Sequence, residues 1–139
     1  MVTGPVEFLT PERARQMVEL AEQAWAELSR LSGQPVSYDA TALQLLDEWV
    51  EREEHPSQVQ RVLWIAFLGE VFRRRHGGEW VIRRGDGAWL AVLCPMKSGE
   101  MRWVAVAAQV ERRITYGLSD SLSLFYIRES ILLRQPKDI

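Results

Sequence analysis

Residues 62–72 read Val-Leu-Trp-Ile-Ala-Phe-Leu-Gly-Glu-Val-Phe, an apolar run with Glu70 as its only charge. The run is too long for an ordinary buried strand and far short of the ~20 residues that cross a bilayer. Its flanks choose helix. Ser57 supplies an N-cap hydroxyl ahead of it. Arg73-Arg74-Arg75-His76 and then Gly77 close it, cations at the carbonyl end and a residue free to turn left-handed. A helix that is apolar all round must be covered on more than one side. The rest of the chain therefore has to supply its cover.

Two amphipathic helices precede it. Thr10 caps the first, with Pro11 at the first helical position, where its missing N–H costs nothing. Ala14, Met17, Val18, Ala21, Ala24, Trp25, Leu28 and Leu31 follow at helical spacing, and Gly33 and Pro35 end it. Asp39 caps the second, whose apolar set is Ala42, Leu43, Leu45, Leu46, Trp49 and Val50 before Pro56. Tryptophans 25, 49 and 64 fall within these apolar stripes and are expected in the core.

After Gly77 the period changes from 3.6 to 2. The segments Trp80-Val81-Ile82-Arg83-Arg84 and Ala88-Trp89-Leu90-Ala91-Val92-Leu93 flank Gly85-Asp86-Gly87. Asp86-Gly87 taken as a two-residue turn predicts a hairpin with Arg84 facing Trp89, Ile82 facing Ala91 and Trp80 facing Leu93. Residues 101–107 read as a third strand, residues 110–116 as a short helix closed by Gly117. Ser119 or Asp120 is expected to cap a last helix, with Leu122, Phe125, Tyr126, Glu129, Leu132 and Leu133 inside. The expected class is α+β: N-terminal helices on a small three-stranded antiparallel meander, then one or two C-terminal helices. A chain of 139 residues with 47% hydrophobic and 26% charged side chains suits one domain over residues 1–139. It divides into an arm (1–9), a helical layer (10–76), the meander (79–107) and C-terminal helices (108–134).

Charge is unevenly spread. Residues 1–60 hold four Arg against eleven acids, and residues 61–139 thirteen basic groups against eight acids. The net charge of −2 argues against a nucleic-acid binder, which usually carries a basic excess. The single Cys94 has no disulfide mate within the chain. Together with an N-terminus lacking an apolar leader and the absence of a membrane-length run, it makes a cytoplasmic protein without membrane contact the expectation. His55, His76 and Cys94 lack metal-ligand spacing, no Gly-x-Ser-x-Gly elbow occurs, and no Gly-rich phosphate loop follows a strand. No metal, cofactor or catalytic group is expected, and a non-catalytic module acting through a protein partner is the favoured function.

Glu70 keeps an alternative open. It shares one side of its helix with Val59, Val62, Leu63, Ala66, Gly69 and Arg73. A carboxylate buried there needs partners or its pKa rises. Either it pairs with an arginine such as Arg73, Arg74 or Arg113 and fixes helix against sheet, or it is a perturbed acid in a small-molecule or anion pocket lined by arginines such as Arg113. Gly69 beside it suggests a close backbone approach, since glycine inside a helix otherwise costs about 1 kcal/mol. A basic cluster, Arg73, Arg74, Arg75, Arg83 and Arg84, is either a surface for nucleic acid or a solvated helix end with arginines stacked on the sheet tryptophans; the second is favoured.

Leu68-Gly69-Glu70 in an apolar helix, Gly78-Glu79-Trp80-Val81 opening a hairpin, and Val110-Glu111-Arg112-Arg113-Ile114 before a final apolar helix together form a pattern. It resembles an uncharacterised family of small bacterial domains over roughly residues 60–133. That family carries a Leu-Gly-Glu helix, a Gly-x-x-Trp strand start and a Val-x-Lys/Arg-Arg segment. The resemblance implies no activity; it implies that Glu70, Trp80 and Arg113 recur together.

Overall fold

Side-chain caps define where the first three helices begin in a computed structural model that describes residues 6–85 and 87–136. Thr10 Oγ1 accepts from Arg13 N to open α1 (Pro11–Ser32), and Asp39 accepts from Ala42 N to open α2 (Ala40–Arg52). Ser57 and Gln60 form a reciprocal capping box at the start of α3 (Gln58–His76). Gly33 and Gly77 end α1 and α3 with left-handed backbones. After α3 come β2 (Glu79–Gly85), β3 (Gly87–Pro95) and β4 (Met101–Val104). They are followed by α4 (Val106–Tyr116), a 3-10 turn (Gly117–Asp120) and α5 (Leu122–Arg134).

The class is α+β, but the sheet has four strands rather than three. Val6–Phe8 is a strand, β1, and the antiparallel order is β1-β2-β3-β4. Part of the expected arm is thus an edge strand, with Phe8 opposite Val81; residues 1–5 lie outside the described residues. Three residues give too little alternation to announce a strand, and only pairing with β2 makes one.

Every residue of α3 in the stretch 64–72 is buried. α1 packs along α3, the sheet lies against another side of α3, and α4 and α5 complete the cover. Trp80, Val92, Cys94 and Val104 carry the inner sheet face into this core. Tyr38 stacks on Phe67, Phe125 and Tyr126 meet Phe72 edge-on, and Trp49 meets Trp64 in the same manner. Trp25 is half-buried and donates its indole N–H to the Val36 carbonyl at 2.7 Å, pinning the α1–α2 connection. Among the described residues no helix is long and apolar enough to cross a membrane.

Two boundaries and one register differ from expectation. Strand β4 stops at Val104, and α4 begins at Val106 instead of residue 110. Val106, Val110 and Arg113 are all buried at helical spacing, so packing overrides the alternation read from residues 101–107. Ser121, rather than Ser119 or Asp120, caps α5, because Asp120 is held by Arg112 at 3.1 Å. In the hairpin, Gly85 pairs with Gly87, Arg83 with Trp89, Ile82 with Leu90 and Trp80 with Val92. The register is one residue away from the expected one. Asp86, the expected first turn residue, lies outside the described residues. Gly85 and Gly87 both take positive φ, 157° and 95°, which glycine alone adopts readily. The shift sends Trp89, Ala91 and Leu93 to the face opposite Trp80 and Ile82. There Val81, Ala91 and Leu93 form a second small cluster under Trp103.

Candidate functional site

Glu70 lies in the last turns of α3, where the helix backs onto the hairpin. It is 0% exposed. Four donors reach its carboxylate. Oε2 accepts from Arg73 Nε at 2.6 Å and from Trp80 Nε1 at 2.8 Å. Oε1 accepts from Arg73 Nη2 at 2.8 Å and Arg74 Nε at 3.0 Å. The Arg73 pair is bidentate, the strong geometry for a guanidinium on a carboxylate. Burial pushes the Glu70 carboxyl up, but the bonds from Arg73, Trp80 and Arg74 outweigh it and hold the pKa below the usual 4.5. Glu70 is therefore an anion with its hydrogen-bonding capacity filled.

Gly69 makes this arrangement possible. A Cβ at position 69 would lie 2.0 Å from Cη2 of Trp80. The indole lies against the bare backbone of α3, and its N–H reaches the adjacent carboxylate. Gly78 lets the strand start in a similar way, since a Cβ there would meet Val92 at 2.6 Å and the Cys94 sulfur at 2.8 Å. The Leu68-Gly69-Glu70 segment of α3 and the Gly78-Glu79-Trp80 start of β2 are two halves of one joint.

Arg113 does not join it. Arg113 is buried on the far side of α3, with Nε 3.0 Å from Asp47 Oδ1 and Nη2 2.9 Å from Glu51 Oε1. Asp47 was not among the expected site residues, yet it is a second saturated carboxylate. It also accepts from Leu122 N at 2.9 Å, Ser123 N at 3.1 Å and Ser121 Oγ at 3.0 Å. One side chain of α2 thus caps α5 and pairs with α4. The sequence did hold a signal: Asp47 falls between Leu43, Leu46 and Val50 at helical spacing, an acid inside an apolar stripe as Glu70 is.

Each member of the basic cluster also has a partner within the protein. Arg74 stacks on the Tyr38 ring at 3.8 Å besides binding Glu70, and Arg75 donates to the Tyr38 carbonyl at 3.0 Å. Arg83 lies over Trp103 at 5.3 Å, and Arg84 binds Glu7 at 2.8 Å. The Cys94 thiol is buried and pushed up to about 12 by burial and by Glu129, so it is not a thiolate nucleophile at neutral pH. His76 contacts Ser130 Oγ at 3.0 Å, and burial together with Arg134 and Arg75 holds its pKa below the usual histidine value.

Clefts adjoin both networks, and Arg113 and Glu51 themselves line one of about 350 Å³. One, of about 670 Å³, lies between the start of α1, β1 and the α3–β2 junction, with Arg15, Arg73 and Trp80 in its wall. Glu70 sits behind Arg73 and Trp80 rather than in the cleft. Another, of about 470 Å³, lies where α2 meets the start of α5, bordered by Gln44, Asp47, Glu48, Glu51, Leu118 and Ser123. Comparison with protein-family models, with curated proteins and with solved structures finds no match.

Proposed function

We propose that this chain is a non-catalytic protein-interaction module. The observation that carries the reading is the saturation of both buried carboxylates: four donors on Glu70 and four on Asp47. A general acid or base has to exchange a proton with a substrate, and a carboxylate whose lone pairs are all engaged by arginine, indole and backbone N–H groups is poorly placed to do so. Such groups serve as joints between elements. The surface, by contrast, retains large apolar side chains that the domain itself does not cover, Leu124, Ile127 and Ile131 among them.

In an extract of its native cells the chain should elute from a sizing column well above the mass of one copy. Elution as a free monomer at native concentration overturns the proposal. So does a turnover that Glu70→Gln abolishes in a folded variant.

A further inference from the structure

We infer that the outer face of α5 is the docking surface of this module, and that its partner is an amphipathic helix of another protein, with carboxylates bordering its apolar stripe. The inference rests on the interaction-module reading and specifies where the contact is made.

Leu124, Ile127 and Ile131 are 56%, 43% and 52% exposed. Their spacing of three and four residues sets them in one ridge over two turns of α5. The outward side of a surface helix is normally polar. Here the ridge exposes on the order of 300 Å² of apolar surface, the size at which a patch on a small domain is often functional. A straight i, i+3, i+7 ridge fits the groove between the ridges of another helix. The cleft of about 470 Å³ lies at the N-terminal end of the same helix, with exposed Leu118 on its border and Gln44, Glu48 and Glu51 of α2 in its wall.

Charge decides the kind of partner. Arg128 and Arg134 are exposed beside the ridge and join no ion pair among the described residues. The only acid in α5, Glu129, is engaged by Arg102 at 2.8 and 3.1 Å. Along α5 the ridge is therefore apolar with cationic flanks, while the acids of the neighbouring cleft, Glu48 and Glu51, stand across it on α2. Acidic flanks on the incoming helix complement it. A second copy of this chain does not, because a two-fold axis through the middle of the ridge sets Arg128 against its own mate with no carboxylate between them. A lipid surface is also disfavoured. The ridge presents no aromatic anchor.

Two synthetic helical peptides with the same leucine stripe, one flanked by Glu and one by Lys, test this by fluorescence anisotropy at low salt. The Glu-flanked peptide should bind about tenfold more tightly than the Lys-flanked one. Ile127→Asp should weaken that binding at least tenfold. The double variant Arg128→Glu/Arg134→Glu should reverse the preference. All three residues are exposed, so the melting curves of the variants should match that of the parent. The inference is overturned if the peptides bind alike or not at all, if anionic phosphatidylglycerol vesicles bind instead, or if the chain forms a dimer that Ile127→Asp dissociates. A native complex that survives Ile127→Asp removes this face and leaves the module reading standing. Absence of any native complex removes the module reading itself.

Discussion

Glu70 remains charged inside an apolar helix because Arg73, Arg74 and Trp80 replace the water it gave up. Replacing the carboxylate by an amide removes the charge from all four bonds. Glu70→Gln is expected to cost about 2–3 kcal/mol, below the cost of breaking a fully buried pair because both arginines are partly exposed and rehydrate. Urea denaturation at neutral pH measures it. The pH dependence has a definite sign. The folded-state pKa lies below the unfolded value near 4.5, so this contribution is complete above about pH 4.5 and is lost as acid protonates the folded carboxylate. The parent should lose stability faster than Glu70→Gln as the pH falls below about 4.5. Parallel acid titrations from the two proteins would remove Glu70 as the cause. Gly69→Ala is the companion test. Alanine gains about 1 kcal/mol in a free helix, yet here its methyl enters the Trp80 ring. A net loss of about 1–3 kcal/mol by thermal melting is expected, and a stabilised variant contradicts the joint. Gly69 and Glu70 were legible as a pair because both are anomalies in an apolar helix. That Trp80 is the third member followed only from the family resemblance, because a tryptophan at a strand start has no period that points to a particular helix.

At the scale of elements, α3 was the most legible part of the chain, since only a helix wrapped on several sides accounts for residues 64–72. Trp64→Ala and Phe67→Ala should each cost about 3–5 kcal/mol in urea denaturation. A loss under about 1 kcal/mol at both positions contradicts a central α3. The hairpin was legible as a hairpin but not in register. Residues 88–93 are apolar on both sides of the strand, so sliding by one residue exchanges one apolar set for another and the pattern does not choose. The choice falls to the turn, where three consecutive candidates, Gly85, Asp86 and Gly87, fit more than one geometry. The outer side of α5 was obscured for the opposite reason. Leu122, Phe125 and Leu133 mark its inner side, but Leu124, Ile127 and Ile131 are equally apolar, and periodicity cannot tell an uncovered ridge from a covered one.

Across the whole molecule, the acidic first half and the basic second half meet in the interior at Asp47 and Arg113. Asp47 comes from α2, Arg113 from α4, and the same carboxylate receives the first backbone N–H groups of α5. This one contact ties the N-terminal helical layer to both C-terminal helices. Removing either partner leaves the other buried without its closest counter-charge, Asp47 with only the α5 donors and Arg113 with only Glu51, and breaking a buried pair typically costs about 3–5 kcal/mol. Arg113→Met, close in volume, should destabilise by that amount because buried Asp47 loses its guanidinium partner. Asp47→Ala should cost at least as much, since it also uncaps α5. The double variant should cost clearly less than the sum of the two, by about 1–3 kcal/mol, because both substitutions remove the same ion pair. Urea denaturation of the four proteins in the cycle measures the coupling. Strict additivity would mean that Asp47 acts on α5 alone, and that the pairing of the two halves contributes nothing beyond the cap.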